Sequence, residues 1–313
     1  MTSATPRRGL AAFRESRWFR LVWVIPALLV AFALVVLAAN WLRGLPAVAD
    51  FIAQYPGHDP LPADAPVGFP AWLAWQHFFN AFLILFVIRS GWQIRTTKRP
   101  AAYWTRNNTG PLRTKGEPVR VSLNHWFHIS IDMLWLLNGL VFFVLIFVTG
   151  QWMRLVPLSW DAIPHSVSVA LQYASLNWPL ENGWVNYNAL QVLAYFVTVF
   201  IAAPLAIITG IRMVPGLAER FKPIERIYPV QLARAIHFPV MVYFVLFILV
   251  HVFLVFTTGI LRNLNHMYAV RDDETWWGFG IFAVSIVVTA VAWVAAKPSV
   301  LAMIAGLTGK VRR

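Results

Sequence analysis

The sequence contains no cysteine among its 313 residues. It therefore has no disulfide, no cysteine-ligated iron–sulfur cluster and no C-x-x-C-H site for covalent haem attachment. Charged residues are also scarce, at 12%, and only 13 of them are acidic. Hydrophobic residues make up 59% of the chain and its mean hydropathy is +0.61, outside the range of an ordinary soluble domain. The sequence predicts an integral membrane protein.

Six apolar runs are long enough to cross a hydrocarbon core of ~30 Å, which takes about 20 helical residues. They are numbered here as predicted spans one to six, at 20–39, 72–94, 126–152, 188–211, 234–261 and 276–296. The expected fold is all-α, a six-helix transmembrane bundle formed by a single domain over 1–313, with spans two to five as a four-helix core. The first run could instead be a cleaved signal peptide, but its apolar stretch is longer than that role requires, and we expect it to be retained as an anchor.

The net charge of +13 arises from 26 Lys and Arg residues whose positions alternate with the loops. Most of them lie before span one, between spans two and three, between spans four and five, and after span six. The opposite side holds only Arg43, Arg154, Arg262 and Arg271. The positive-inside rule then places both termini in the cytoplasm of a multi-pass plasma (inner) membrane protein. Because the charge marks topology and attracts anionic lipid, membrane lipid is an expected partner and nucleic acid is not.

Two histidines lie fourteen residues apart in span five, His237 and His251. On an α-helix this interval is roughly 21 Å along the axis with only about 40° of rotation, so both imidazoles face the same way at two depths. Ionisable side chains are costly inside a bilayer, and imidazole is a common ligand of haem iron. The spacing therefore suggests two stacked b-type haems, held without covalent attachment.

Once the topology is known, each of these two histidines can be matched with a histidine of another span at the same depth in the membrane. His77 enters span two from the outer side and matches His251, while His128 enters span three from the cytoplasm and matches His237. We expect the first pair to ligate an outer haem and the second an inner haem. His125 competes with His128, but it lies closer to the basic loop and His128 is preferred. Outside the spans, solvated or interfacial roles are expected for three further histidines: His58, His165 and His266.

A Ser/Thr-Gly dipeptide recurs near the ends of spans two to five, as Ser90-Gly91, Thr149-Gly150, Thr209-Gly210 and Thr258-Gly259. For three of the four, a helix cap or a small-residue packing contact is the expected role. Gly91 differs because it follows His77 by fourteen residues, on the same face and at the depth of the inner haem. Glycine leaves room there for a porphyrin edge, so Gly91 is a predicted cofactor contact.

Asp132 is the only acidic residue in any predicted span, one turn after His128 and on the same face. Its carboxyl could exchange protons with a quinone, or it could bond to a neighbouring helix or to the free ring nitrogen of a haem ligand. The acidic run 272–274 could dock a basic partner or form a solvated turn. Several arginines are candidates to neutralise haem propionates: Arg89, Arg212 and Arg234 inside, and Arg154 and Arg262 outside.

With these residues the chain resembles the di-haem cytochrome b membrane subunits of bacterial formate dehydrogenases and nickel–iron hydrogenases. The resemblance runs from Trp75-Gln76-His77-Phe78-Phe79-Asn80 and Arg89-Ser90-Gly91, through His128, to His237 and His251. Segments 130–139 and 149–157 also resemble an actinobacterial cytochrome b/b6-domain group, which implies a molybdopterin-dependent oxidoreductase of the sulfite-oxidase type as partner. The chain differs from the dehydrogenase and hydrogenase subunits in its six spans and in the long basic loop between spans two and three.

The sequence is thus interpreted as a di-haem b-type cytochrome, the electron-transfer subunit of an oxidoreductase complex in a respiratory chain. It would carry electrons across the membrane between an outward-facing redox protein and the quinone pool. Two alternatives from other classes stay open: a stand-alone transmembrane haem reductase of a small soluble substrate, and a haem-free transporter or structural membrane subunit. The second predicts polar or broken helices at the midplane, where Asp132 is the only charge.

Overall fold

The computed structural model describes residues 19, 21–109, 113, 116–179, 182–216 and 222–313. Within these ranges, six helices are long and apolar enough to span a membrane. With helices numbered in chain order, the spans are α1 (Leu21–Arg43), α3 (Ala71–Thr96), α4 (Leu123–Val148), α6 (Ala189–Met213), α8 (Val230–Thr257) and α10 (Trp277–Ala295). The predicted all-α membrane fold with six spans is confirmed.

Exposed apolar side chains cover these spans. Leu37, Leu140, Leu249 and Val287 are each more than 60% exposed. A soluble monomer rarely exposes so continuous an apolar surface, whereas lipid tails solvate it without penalty. A segment in hydrocarbon must satisfy its backbone hydrogen bonds internally, and an α-helix is a structure that does so. Hydropathy and structure therefore agree on the solvent that surrounds the chain.

Two compact units divide the chain. The smaller contains residues up to Asp59, Ser159–Glu181 and Asn188–Leu190, and the larger contains Pro60–Leu158, Asn182–Tyr187 and Gln191–Arg313. The smaller unit includes α1, α2 (Pro46–Gln54) and α5 (Ala162–Ala174). The larger unit includes the other five spans, apart from the first two residues of α6, and every histidine predicted to bind haem.

Polar bonds fix the smaller unit where α1 meets the end of α5. Asn40 Nδ2 donates to the carbonyl of Ser175 at 3.1 Å, and Arg43 Nη1 donates to its hydroxyl at 3.0 Å. His165 is buried on α5, where its Nδ1 accepts from the Gly57 N–H at 3.0 Å. The expectation of a solvated or interfacial His165 is therefore wrong, because Tyr55 and Gly57, in the segment after α2, pack against its ring.

Short elements complete the larger unit: α7 (Lys222–Ile227), α9 (Ile260–Leu264), α11 (Pro298–Ala305), β1 (Tyr103–Arg106), β2 (Arg120–Ser122) and β3 (Gly309–Arg312). The strands form an antiparallel sheet in the order β2-β1-β3, with Trp104 opposite both Val121 and Val311. The indole of Trp104 also donates to the carbonyl of Ala305 at 3.0 Å. None of these strands was expected from the sequence, since three or four residues carry little periodicity.

Glycine and proline set the span ends that differ from the predicted ones. Gly150 has a φ of +74° and stops α4 at Val148, four residues before the predicted end. Gly259, with a φ of +124°, likewise follows the end of α8 at Thr257. At its other end α8 starts directly after Pro229, four residues earlier than expected. Apolar runs locate a span, but left-handed glycines decide where its helix ends.

Helix α6 contains a π-helical segment at Val197–Ala202, between α-helical segments Ala189–Phe196 and Ala203–Met213. The segment precedes Pro204, which has no N–H to donate and whose ring displaces the preceding turn. Within it, the Thr198 hydroxyl lies 2.8 Å from the Tyr243 hydroxyl of α8. The irregular turn is thereby tied to the neighbouring helix midway along α8.

Candidate functional site

Four helices of the larger unit, α3, α4, α6 and α8, carry the candidate site. Helix α3 packs along α4, and α6 packs along α8. Midway along them lies an apolar cluster of four buried side chains: Ile84, Ala202, Val240 and Phe244. The predicted histidines lie above and below this cluster, on two levels of α8.

His77 of α3 and His251 of α8 lie together at one level, with ring centroids 6.4 Å apart. The ring of Phe247 stacks on His251 at 5.6 Å with an interplanar angle of 6°. On the other ring, Tyr268 approaches His77 edge-on at 5.7 Å, and the buried His77 Nδ1 has no hydrogen-bond partner among the described residues. The two rings share an aromatic enclosure.

His128 of α4 and His237 of α8 lie together at the other level, with ring centroids 6.5 Å apart and nearly perpendicular planes. Each ring is held at Nδ1 by a hydroxyl from another helix. Ser90 Oγ of α3 is 2.8 Å from His128 Nδ1, and Thr209 Oγ1 of α6 is 2.8 Å from His237 Nδ1. All four core helices therefore contribute to this level.

The separation of the rings fits one metal ion between each pair. Imidazole nitrogen bonds a first-row metal at about 2.0 Å, and the ring centre lies roughly 1.1 Å further, so two opposed rings should be about 6.2 Å apart. The observed 6.4 and 6.5 Å are close to this value. Two imidazoles do not complete a metal site made of protein alone, and the described residues contain no cluster of three or more ligating side chains. Haem iron, which takes four ligands from its porphyrin, would need two more from the protein, and each pair of imidazoles could supply them.

Glycines follow both hydroxyl residues and face the same rings. A Cβ on Gly91 would lie 3.4 Å from His128 Cε1, and one on Gly210 would lie 3.6 Å from His237 Cε1. Gly91 thus lies at the level where it was predicted. The sequence reasoning missed Gly210, which it treated as a cap or packing residue, although Thr209-Gly210 repeats the Ser90-Gly91 dipeptide on another helix.

Asp132 and His125 flank His128 on α4. Asp132 Oδ2 is 3.5 Å from His128 Nε2, longer than the about 2.7–3.2 Å of a good hydrogen bond. Since Ser90 already occupies Nδ1, Asp132 does not hold the ring nitrogen that faces away from a metal. His125 lies in the first turn, where its Nδ1 is 3.1 Å from the hydroxyl of Ser122. Of the two competing histidines, His128 is the one whose ring adjoins His237.

Two of the three inner arginines proposed as propionate partners, Arg89 and Arg212, bond to other groups in the structure. Arg89 donates to the carbonyls of Trp293 and Ala296, at 2.5 and 2.9 Å, at the carboxyl end of α10. Arg212 pairs with Glu225 and donates through Nε to a backbone carbonyl at 2.7 Å. Arg234 is exposed on α8. Arg89 and Arg212 therefore tie the spans to neighbouring segments.

Arg154 is almost fully buried, at 1% exposure. Its Nη1 donates to the carbonyl of Gly68 at 2.9 Å, and its Nη2 donates to the carbonyl of Gly183. The guanidinium lies between the rings of Phe69 and Tyr187, 4.5 and 4.8 Å from their centroids. Burial lowers the pKa of the Arg154 guanidinium and raises the pKa of the Tyr187 phenol. Sequence reasoning treated Arg154 only as a boundary charge and a propionate candidate, because burial of an arginine is invisible to hydropathy.

His266 is also buried, contrary to the expectation of a solvated or interfacial ring. Its Nε2 is 2.8 Å from Asp272, which also pairs with Arg262 at 2.8 Å. Burial lowers the pKa of His266, and the hydrogen bond from His266 is the main reason that the pKa of Asp272 is lowered. Asp273 accepts from Arg271 at 2.7 Å. Two carboxylates of the acidic run 272–274 are thus engaged within the chain.

Comparison with known proteins identifies a family for the segment that carries these residues. A family model described as prokaryotic cytochrome b561 matches residues 68–270, which include all four paired histidines. Comparison with curated proteins and with solved structures gives no match. The matched segment covers about two thirds of the chain and the whole of its four-helix core. The chain therefore belongs to the prokaryotic cytochrome b561 family.

Proposed function

We propose that this chain is a di-haem b-type cytochrome that carries electrons across the membrane between a redox partner and the quinone pool. Family membership makes it a multi-pass membrane protein that uses b-type haem in electron transfer. The observation that carries the di-haem proposal is the presence of two imidazole pairs, each spaced for one iron, on two levels of α8. One level alone would serve only a single cofactor.

Each haem has a defined set of residues under this proposal. His77 and His251 hold one, and His128 and His237 hold the other, with Gly91 beside His128. Haem supplies a one-electron redox centre, while the protein sets ligation, burial and hydrogen bonding. The chain keeps the two sites roughly 21 Å apart along the axis of α8. Between them it packs an apolar cluster that excludes water.

Quinone is proposed to bind near the His128–His237 level, with Asp132 as the group that exchanges protons. Quinone reduction takes up protons together with electrons, and Asp132 is the only carboxyl in a predicted span. Its side chain is 31% exposed, so a ligand can reach it from the surface of α4. Asp132→Asn should slow reduction of the haems by an added quinol and leave their spectrum unchanged. An unaltered rate would contradict this role.

The redox partner is proposed to dock on the outward side, where segments 40–71, 153–187 and 262–275 connect the spans, with both termini in the cytoplasm of the plasma membrane. The support is the distribution of basic residues, which follows the positive-inside rule. By resemblance the partner is a molybdopterin-dependent oxidoreductase. A reporter enzyme that is active only in the cytoplasm should function at the carboxyl terminus. Affinity purification of the chain from its native membrane should recover molybdenum, and its absence would contradict the partner assignment.

Haem stoichiometry tests the central proposal. The purified protein should contain about two low-spin b haems per chain, as four axial ligands require. His251→Ala should remove one haem and leave the other visible in the reduced-minus-oxidised spectrum, and His237→Ala should remove the second. His125→Ala is the matched control, because it removes a neighbouring imidazole that is bonded to Ser122, and it should keep both haems. A colourless protein, or loss of a haem in the control alone, would contradict the assignment.

A further inference from the structure

Two buried hydroxyls bond to the imidazoles of the His128–His237 level. Each hydroxyl also forms a hydrogen bond with a backbone carbonyl of its own helix. Ser90 Oγ is 2.7 Å from the carbonyl of Phe86, and Thr209 Oγ1 is 2.5 Å from the carbonyl of Leu205. Both carbonyls lie four residues earlier on the same helix and can only accept a hydrogen bond. Since a hydroxyl has one proton, each hydroxyl donates to its own helix. Its oxygen then faces the imidazole as an acceptor.

The direction of these bonds fixes the tautomer of both rings. An acceptor 2.8 Å from His128 Nδ1, and another 2.8 Å from His237 Nδ1, require that both nitrogens carry hydrogen. In a neutral imidazole the other nitrogen, Nε2, then has its lone pair free. Both rings of this level are therefore set to bond a metal through Nε2 before any metal arrives.

The His77–His251 level lacks an equivalent hydrogen bond to His77 within the described ranges. His77 Nδ1 is buried without a hydrogen-bond partner among the described residues. Ser90 and Thr209 are at most 1% exposed, so water does not replace their hydroxyls at the His128–His237 level. The following glycines, Gly91 and Gly210, face the Cε1 edge of the same two rings, where an added Cβ would be in van der Waals contact at 3.4 and 3.6 Å. The Ser/Thr-Gly dipeptide thus bonds one edge of an imidazole through its hydroxyl and places only backbone beside the Cε1 edge.

We propose that Ser90 and Thr209 are positioning residues for the haem at the His128–His237 level, a role that rests on the proposed function. They orient the two imidazoles and select the Nδ1–H tautomer. As acceptors of the Nδ1–H bonds they also make Nε2 a stronger donor, which favours ferric over ferrous iron and lowers the reduction potential of that haem. The haem at the His77–His251 level receives no such contribution through His77.

Redox titration of the two haems in Ser90→Ala and Thr209→Val tests this role, since both changes remove a hydroxyl and keep a compact side chain. One of the two midpoint potentials should rise while the other stays at its wild-type value. A tenfold loss of preference for the ferric state corresponds to about 59 mV for a one-electron couple. The conservative variants Ser90→Thr and Thr209→Ser retain the acceptor and should titrate close to the wild type.

Thr149→Val is the matched control. Its hydroxyl also donates to the carbonyl four residues earlier, at 2.6 Å, but it lies at the end of α4 with no histidine bonded to it. This variant should leave both potentials unchanged. If Ser90→Ala loses the haem altogether, retention in Ser90→Thr supports the positioning role, and equal loss in both contradicts it.

Different results contradict the di-haem function and the positioning role of the two hydroxyls. A wild-type protein without two haems contradicts the di-haem proposal and the inference with it. A wild type with two haems, together with unshifted potentials and full haem content in both hydroxyl-deletion variants, overturns the inference alone. Haem content and potential are read from absorbance, so neither depends on turnover with a partner enzyme.

Discussion

Replacement of Arg154 by methionine keeps the length of the side chain and removes its guanidinium. The variant loses two charge-assisted hydrogen bonds, to the carbonyls of Gly68 and Gly183, each worth about 1.5–3 kcal/mol. It also loses two cation–π contacts, with Phe69 and Tyr187, of about 0.5–2 kcal/mol each. These losses set the upper limit of the effect.

Burial of a guanidinium without a carboxylate partner costs several kcal/mol, and the methionine variant is relieved of that cost. The carbonyl of Gly68 nevertheless stays buried and that of Gly183 stays partly buried, and an unsatisfied buried acceptor costs about 1–3 kcal/mol. The expected net effect is a loss of about 2–4 kcal/mol in the free energy of unfolding. Arg154 joins three segments of the larger unit, so the loss should appear in its global unfolding.

Thermal unfolding in detergent, followed by tryptophan fluorescence, measures this change. Arg154→Met should unfold at least about 5 °C below the wild type, since 1 kcal/mol corresponds to a few degrees in a protein of this size. Arg271→Met is the matched control, because Arg271 is half exposed and forms only a surface pair with Asp273. Equal unfolding temperatures for Arg154→Met and the wild type would contradict this stabilising role of Arg154, as would an equal fall in the control.

Two further predictions concern the segments near α9 and α10. Gly278→Ala should strongly destabilise the protein or prevent its insertion, because an added Cβ would lie 2.4 Å from backbone atoms at the end of α9. Gly280→Ala, where an added Cβ meets open space, should behave as the wild type. Equal expression and stability of the two variants would contradict this packing. Acidification should also lower the unfolding temperature, with an onset near pH 6.5, the ordinary pKa of histidine, because burial holds the pKa of His266 below that value and the unfolded chain therefore takes up the proton first. Below pH 3.8 the lowered pKa of Asp272 adds a second loss of the same sign. His266→Gln should flatten the fall between about pH 7 and pH 5, and an unchanged slope there would count against the role of His266.

Some of the site was accessible from sequence because helices have a fixed geometry. The fourteen-residue interval from His237 to His251 makes nearly four turns of an α-helix with 3.6 residues per turn, so the two side chains share a face. The depths of His77 and His128 in the membrane can be predicted once the basic loops give the direction of each span. Their rings lie 6.4 and 6.5 Å from those of His251 and His237. That these four residues ligate haem stays a proposal until a spectrum is measured.

Other features depend on how the helices are rotated against each other, which hydropathy does not encode. Ser90 bonds to a histidine 38 residues away and Thr209 to one 28 residues away. Both dipeptides are visible in the sequence, but a cap or packing role was the expectation for Thr209-Gly210. Likewise, Arg154 and His266 looked like boundary residues because their burial comes from loops that fold over them.

The surrounding solvent, the number of spans and the two levels of histidine follow from local composition and helical period, so they can be predicted from the sequence. The bonds that hold the imidazoles depend on how the helices pack. A hydroxyl acts as an acceptor toward a particular ring nitrogen only when its own proton is committed elsewhere and the two helices bring the atoms within 2.8 Å. Such a bond is a property of a packed interface between helices, and no single span contains it.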